Sequence, residues 1–304
     1  MQLQGCITAL ATPFTATGAL DLDAYARLLD QQLVAGVSAV VVAGSTGEAA
    51  ALEPEEYDAL LRLAVERVGS SIPVLAGTGL PCTAKTIRLS QHVRELGAAA
   101  ALVVTPAYVR PTQEGLFQHF VAVADSAGLP IVLYNVPSRT GCDLLPETTA
   151  RLNTHPGIIG IKEAVSTPER LAALLPLRRP DFALLSGDDP SCAEAMARGA
   201  DGVISVASNV VPATFSRLCA LAASGDTGSA ASLDSRLAPL YRFLSCEPNP
   251  IPVKAILAQM GLGVGLRLPL LPLSAAHTSE SRDITALCQR LEAEAVALAA
   301  KNAI

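Results

Sequence analysis

The sequence predicts an α/β protein whose core is a closed (β/α)8 TIM barrel, with a helical appendage in the C-terminal part of the chain. Short runs of β-branched and other apolar residues alternate with segments whose apolar residues recur at helical spacing. Such runs are typical of parallel strands that are buried on both faces. They begin roughly every 20 to 33 residues, which is the length of one strand–helix unit. Eight units in succession favour a closed barrel.

The strands can be placed in order along the chain, each followed by one helix. We predict strands at residues 5–10, 39–43, 72–76, 101–105, 130–135, 158–162, 182–186 and 202–206. We predict helices at residues 21–35, from Pro54 to the glycine at 69, and at 83–96, 113–127, 146–153, 168–175, 190–198 and 210–223. Prolines at helix starts and glycines at helix ends support these bounds. The first strand is not followed by the Gly-rich phosphate turn of a doubly wound open sheet, which favours the barrel.

Three further segments after the eighth unit have a helical pattern, at residues 232–244, 252–260 and 279–301. We therefore divide the chain into a catalytic (β/α)8 barrel, residues 1–225, and a C-terminal helical region, residues 226–304. No low-complexity linker separates them, so we expect the helices to pack against the barrel or a neighbouring subunit. The sequence suggests no role for the tail after Ser274.

Composition narrows the class of protein. Of 304 residues, 50% are hydrophobic and 16% are charged, so a large core is available. The net charge is −6 and no basic stripe is present, which argues against nucleic acid as a partner. The apolar runs are too short to span a membrane, and no signal peptide is evident. The seven cysteines are scattered and never form Cys-x-x-Cys, as expected of free thiols in the cytoplasm.

Polar residues gather at the predicted carboxyl ends of the strands, where barrel enzymes place their active sites. They are Gly44-Ser45-Thr46-Gly47-Glu48, Thr105-Pro106-Ala107-Tyr108, the run from Tyr134 to Gly141, Lys162, Ser186-Gly187-Asp188-Asp189 and Ile204-Ser205. Each group alone has a structural interpretation, such as a turn, a core aromatic or a helix cap. Their convergence at one end of one barrel favours chemistry.

Lys162 ends a short apolar strand. A buried amine costs several kcal/mol unless it is paired or uncharged, so this lysine is either half of an ion pair or a reactive amine. Glu163 points to the opposite side of the strand, so we do not expect it to be the counter-ion. Tyr134 lies one strand–helix unit earlier, which puts it on the adjacent strand about 4.8 Å away. This arrangement suits Schiff-base chemistry, with hydroxyl groups moving the protons.

Two further groups can bind substrate carboxylates. Backbone N–H groups of the Gly-rich turn can hold one, and the planar fork of Arg139 can hold a second. A metal-dependent aldolase would need clustered ligands at the mouth, but the four histidines fall on outer helices, at the opposite end or in the tail. We therefore expect neither a catalytic metal nor a cofactor.

Five motifs in order along the chain carry a resemblance to a known family. They are GSTGE at 44–48, YNVPSRTG at 134–141, IGIKE at 159–163, SGDD at 186–189 and EPNPIPVK at 247–254. Together they resemble the dihydrodipicolinate synthases, now described as 4-hydroxy-tetrahydrodipicolinate synthases, of the class I pyruvate-dependent aldolase/lyase superfamily. The resemblance covers nearly the whole chain and weakens after Pro272.

The resemblance implies a lyase that condenses pyruvate with aspartate 4-semialdehyde, in the diaminopimelate and lysine biosynthesis pathway. It implies that Lys162 forms the Schiff base with pyruvate and that Tyr134 donates and accepts protons. The hydroxyls of Ser45 and Tyr108 would complete the relay, with Tyr108 reaching in from a partner subunit. Family members are commonly dimers of dimers, so we expect a homotetramer.

The resemblance also assigns the residues that bind the substrates. Thr46 would hold the pyruvate carboxylate, and Arg139 would bind the carboxylate of the semialdehyde and steady Tyr108. Gly187 and Ile204 would contribute backbone contacts near the Schiff base.

The chain departs from the family pattern in two places. Many members have threonine where this chain has Ser45, which keeps the hydroxyl but lacks the methyl group that restrains χ1. Lysine-inhibited members have asparagine, glutamate and tyrosine where this chain has Pro81, Lys85 and Ala107. Lys85 would repel the ammonium of a lysine ligand, and Ala107 removes an aromatic wall. We therefore expect free lysine to inhibit weakly or not at all.

Two alternatives remain open. Another Schiff-base pyruvate aldolase, such as an N-acetylneuraminate or 2-keto-3-deoxy-sugar-acid lyase, would use Lys162 and Tyr134 equally well. Arg139 discriminates, because a short acidic aldehyde needs a carboxylate clamp and a sugar needs hydroxyl partners. A non-catalytic barrel kept for binding or regulation would be favoured if the lysine or the relay were missing.

Overall fold

Eight parallel strands close into a barrel in the computed structural model, which describes residues 1–302. Each strand pairs with the next along the chain, and β8 closes the ring against β1. The strands are β1 (Gly5–Ala9), β2 (Ala39–Val42), β3 (Val74–Gly77), β4 (Ala100–Val104), β5 (Ile131–Asn135), β6 (Ile158–Glu163), β7 (Ala183–Ser186) and β8 (Gly202–Ser205). The predicted barrel and the order of its strands are confirmed.

Helices surround the barrel and continue beyond it. They are α1 (Leu22–Val34), α2 (Pro54–Val68), α3 (Thr83–Glu95), α4 (Gln113–Ala127), α5 (Pro137–Thr140), α6 (Pro146–Leu152), α7 (Pro168–Leu174), α8 (Asp189–Ala197), α9 (Pro212–Ala223), α10 (Thr227–Leu244), α11 (Ile251–Gln259) and α12 (Thr278–Asn302). Within residues 1–302, no helix is both long enough and apolar enough to cross a membrane. All seven cysteines, which lie in that range, are free.

Most predicted bounds hold within two residues, and the larger shifts among them have local causes. The third strand begins at Val74 instead of 72, because the N–H of Ile72 still bonds to Val68 O at the end of α2. Helix α10 begins five residues earlier than predicted, where Asp226 accepts from Ser229 N and caps the helix. The short helix α5 was not predicted from the sequence. The predicted residues 303–304 lie outside the described range.

Apolar side chains form two layers. One cluster fills the inside of the barrel and includes Ile7, Val41, Tyr134 and Leu185. A larger cluster packs the outer faces of the strands against the helices and includes Ile161. Because side chains alternate along a strand, Ile161 on the outer face puts Lys162 on the inner face.

The C-terminal helices pack on the outside of the barrel. Glu292 on α12 accepts hydrogen bonds from Ala213 N and Thr214 N at the start of α9, at 2.7 and 3.1 Å. The segment before α12 returns to the first strand–helix loop, where Val264 N donates to Phe14 O at 2.9 Å. These contacts confirm a helical appendage against the barrel, while the division at residue 225 stays a prediction.

Gly160 on β6 lies where β6 and β7 approach each other closely. A Cβ atom there would lie 2.7 Å from Ala183 O on β7, and backbone in a closed barrel cannot easily move away. We therefore predict that Gly160→Ala lowers the free energy of unfolding by about 1–3 kcal/mol in urea denaturation. The control is Gly228→Ala on α10, where the nearest atom is 4.0 Å away. That variant should be as stable as the wild type or more so, and equal stability of both variants would contradict the packing.

Candidate active site

Lys162 and Tyr134 are direct neighbours inside the barrel. They are register partners on β6 and β5. Lys162 Nζ lies 4.4 Å from the centroid of the Tyr134 ring, and both side chains are buried. The predicted adjacency is therefore confirmed. A lysine amine over a phenol ring, away from bulk water, has a proton donor and acceptor within reach of any carbon that becomes attached to its nitrogen.

A cavity of about 250 Å³ opens above this pair, at the carboxyl ends of the strands. Six of the eight predicted site residues line it, namely Ser45, Thr46, Tyr134, Arg139, Lys162 and Gly187. Ile204 lies deeper, in the apolar cluster that also contains Tyr134, and does not line the cavity wall. Groups from four strand ends thus meet around a cavity that is large enough for a small keto acid.

Tyr108 stands apart from this cavity. Its side chain is 93% exposed and its backbone has φ of 74°, a left-handed conformation unusual for a bulky residue. Its N–H is held by Thr140 O at 3.2 Å, so the loop is fixed while the phenol points into solvent. Within a single subunit, Tyr108 therefore does not join Lys162 and Tyr134.

The turn that carries Ser45 and Thr46 is anchored by buried charged residues that contact Glu48. Glu48, also left-handed with φ of 53°, accepts hydrogen bonds from Lys254 Nζ and, at 3.1 Å, from Arg267 N. Burial lowers the pKa of Lys254. Its amine and the Arg267 guanidinium each lie 4.2 Å from the centroid of the Phe14 ring. The sequence did not predict these contacts, although Lys254 ends the EPNPIPVK motif.

Asn249, in the same motif, connects two substrate-binding candidates. Its side-chain Nδ2 donates to Thr46 Oγ1 at 3.1 Å, and its backbone oxygen accepts from Arg139 Nη2 at 3.0 Å. Because the Thr46 hydroxyl is already an acceptor in this bond, its own hydrogen is free to reach an anion in the cavity. Arg139 is exposed at the rim and keeps other N–H groups for a second anion.

Glu163 is turned away from Lys162, as predicted. Its carboxylate accepts hydrogen bonds from Val165 N at 2.8 Å and from Asn135 Nδ2 at 3.1 Å, and Arg170 Nη1 lies 3.4 Å away. Burial raises the pKa of Glu163 to about 7, although these donors favour the charged form. It is therefore a buried carboxyl group that titrates near neutral pH on the outer side of the reactive strand.

Within residues 1–302, no group of three or more His, Cys, Asp or Glu side chains is placed to hold a metal ion. Three histidines form hydrogen bonds with residues of neighbouring helices. His92 contacts Asp58, His119 contacts Thr83, and His155 contacts Asp125.

The comparisons agree with this geometry. A sequence model of the Dihydrodipicolinate synthetase family matches residues 2–287. A 4-hydroxy-tetrahydrodipicolinate synthase from Xanthomonas axonopodis pv. citri (strain 306) is 61% identical over 300 residues, which cover 99% of this chain and 97% of the relative. The crystal structure of the chloride-inhibited dihydrodipicolinate synthase from Acinetobacter baumannii, complexed with pyruvate, superimposes with a TM-score of 0.92. It is 41% identical and covers 94% of this chain and 99% of its own.

The raised pKa of Glu163 predicts a pH dependence of stability. Its pKa is about 7 in the folded protein against 4.5 for a free glutamate, so the folded state holds more protons between those values and stability falls as pH rises through this range. Relative to Glu163→Gln, the wild type should lose on the order of 3 kcal/mol of unfolding free energy between about pH 4.5 and 7. Urea denaturation at a series of pH values measures it. Parallel pH profiles for the two proteins would contradict the prediction.

Proposed function

Since the chain belongs to the dihydrodipicolinate synthetase family and is a lyase, we propose that it condenses pyruvate with aspartate 4-semialdehyde through a Schiff base on Lys162. The product is 4-hydroxy-tetrahydrodipicolinate, an intermediate of the diaminopimelate and lysine pathway. The observation that carries this proposal is Lys162 Nζ, 4.4 Å from the centroid of the Tyr134 ring in a cavity at the barrel mouth.

The chemistry follows from the nitrogen of Lys162. Its uncharged amine attacks the pyruvate ketone, water leaves, and an imine forms. Loss of a proton from the methyl carbon gives an enamine, whose carbon adds to the aldehyde carbon of the second substrate. The amino group of that substrate then attacks the imine carbon, releases Lys162 and closes the ring. The hydroxyl group of Tyr134, whose ring lies beside the lysine, moves these protons.

The relay needs further hydroxyl groups beyond Tyr134. Ser45 lines the same cavity and supplies one. Tyr108 supplies another from a partner subunit, and its 93% exposure in a fixed loop supports a role outside its own chain. We take the assembly to be a homotetramer built from dimers in which each Tyr108 completes the neighbouring site. The free thiols suit a cytoplasmic enzyme.

Four residues bind the substrates in this proposal. Thr46 donates its free hydroxyl hydrogen to the pyruvate carboxylate, and Arg139 binds the carboxylate of the semialdehyde at the rim. Backbone atoms of Gly187 and Ile204 contact the imine region. The position of Gly187 on the cavity wall supports its role directly, whereas Ile204 would act from the layer beneath.

Arg139 separates this function from a sugar-acid lyase. The wild type should turn over aspartate 4-semialdehyde and not N-acetylmannosamine or glyceraldehyde in initial-rate assays with pyruvate. Arg139→Lys should raise KM for the semialdehyde about tenfold, since a lost charge-assisted bond costs about 1.5–3 kcal/mol, and leave KM for pyruvate unchanged. The control is Arg198→Lys, which alters a surface pair with Glu194. Faster turnover of a sugar aldehyde would overturn the proposed substrate.

A second, larger cavity bears on feedback by lysine. It has a volume of about 1000 Å³, shares Ser45, Tyr134 and Arg139 with the first, and extends to Pro81 and Ala107. We predict that millimolar lysine leaves the initial rate nearly unchanged, because Ala107 on the cavity wall offers no aromatic ring. Lys85 is exposed on α3 outside this lining and adds a like charge that repels the ammonium of a lysine ligand. The double variant Lys85→Glu/Ala107→Tyr should gain sensitivity. Strong inhibition of the wild type below millimolar lysine would refute this prediction.

A further inference from the structure

Asn135 and Glu163 form a buried pair on the outer face of the strands that carry the reactive residues. They follow Tyr134 and Lys162 directly and are register partners themselves. Asn135 Nδ2 donates to both carboxylate oxygens of Glu163 at 3.1 Å. The ends of β5 and β6 are therefore joined by side chains on the outside at the level where Lys162 meets Tyr134 on the inside.

Arg170 and Asp143 extend this pair to the neighbouring loop. Arg170, on α7, donates to Asp143 Oδ1 at 3.1 Å and to Leu144 O at 3.0 Å, besides its contact with Glu163. Asn135 Nδ2 donates to Asp143 Oδ1 at 2.7 Å, and Asn135 Oδ1 accepts from Leu144 N at 2.9 Å. The segment between β5 and α6, which includes α5 with Arg139, is thus anchored to both strand ends through Asp143 and Leu144.

The charges in this cluster are partly removed from water, since the side chains of Arg170 and Asp143 are 11% and 33% exposed. Asp143 and Arg170 form an ion pair, and Glu163 is a second acid beside it that is only 6% exposed. Other charged groups also face the cluster. Glu147 on α6 acts on Arg170, while Glu194 on α8 and Arg198 directly after that helix line a small cavity together with Glu163. Apolar residues of similar volume often stabilise a protein as well as a buried ionic cluster does, so stability alone explains it poorly.

We propose that Glu163 is a positioning residue for the Schiff-base lysine. It acts through Asn135 and Arg170 to fix the ends of β5 and β6, so that Lys162 Nζ keeps its position over the Tyr134 ring. The inference rests on the proposed Schiff-base function and adds a residue that does not touch the substrate. Small misplacements of reacting groups are costly, and a shift of about 1 Å can slow a reaction a hundredfold.

The first half-reaction tests the inference without the second substrate. When the imine loses a methyl proton and regains one from solvent, pyruvate in D2O exchanges its methyl hydrogens, which NMR follows. Glu163→Gln keeps the shape but places an amide N–H2 against that of Asn135. We expect exchange at saturating pyruvate to slow about tenfold or more, with KM for pyruvate little changed. Arg170→Lys, which removes the guanidinium fork, should slow exchange in the same direction and serves if Glu163→Gln does not fold.

The matched control is Asn153→Ala, which lies between the end of α6 and the start of β6, at the opposite end of that strand from Glu163. Asn153 is also buried, and its Nδ2 donates to Leu177 O at 2.6 Å. The Asn153→Ala variant should be less stable than the wild type and should keep the wild-type exchange rate. An exchange rate in folded Glu163→Gln within about twofold of the wild type, or an equal loss in Asn153→Ala, would overturn the positioning role. Absence of exchange in the wild type would instead overturn the Schiff-base function itself.

Discussion

The register between β5 and β6 is the constraint on which the site depends. It sets Tyr134 opposite Lys162 inside the barrel and Asn135 opposite Glu163 outside. A slip of one residue would turn the lysine toward the helices and the glutamate into the cavity. The closed ring of eight strands prevents such a slip, because every strand is paired on both sides. The barrel therefore supplies a fixed amine and a fixed phenol at one point of its mouth.

Two clusters of charged residues hold the backbone that presents the site residues. Glu163, Asp143 and Arg170 anchor the ends of β5 and β6, while Glu48, paired with Lys254, anchors the turn of Ser45 and Thr46. Ion pairs in such places contribute little net stability, yet removing one partner leaves an uncompensated charge. Their common effect is geometric, since both clusters hold backbone that presents a reactive or substrate-binding group to the same cavity.

The sequence predicted what depends on local periodicity and barrel geometry. The eight strands, their order and the approach of Tyr134 to Lys162 follow from alternation of apolar segments and from adjacency of successive strands. Contacts such as Lys254 to Glu48 and Asn249 to Thr46 could not be predicted, because they join residues more than 200 positions apart through tertiary packing. The start of α10 depends on one capping carboxylate, that of Asp226. The exposure of Tyr108 depends on a loop conformation that no periodic pattern encodes.

Borohydride trapping tests the central claim most directly. Among residues 1–300, two lysines are buried, of which Lys162 faces the cavity and Lys254 is held by Glu48. With pyruvate and borohydride, the imine is reduced to a stable amine, and peptide mass spectrometry locates it. The account predicts one adduct, on Lys162, with none on Lys254 and none in Lys162→Arg. No adduct in the wild type, or an adduct on another lysine, would contradict the account.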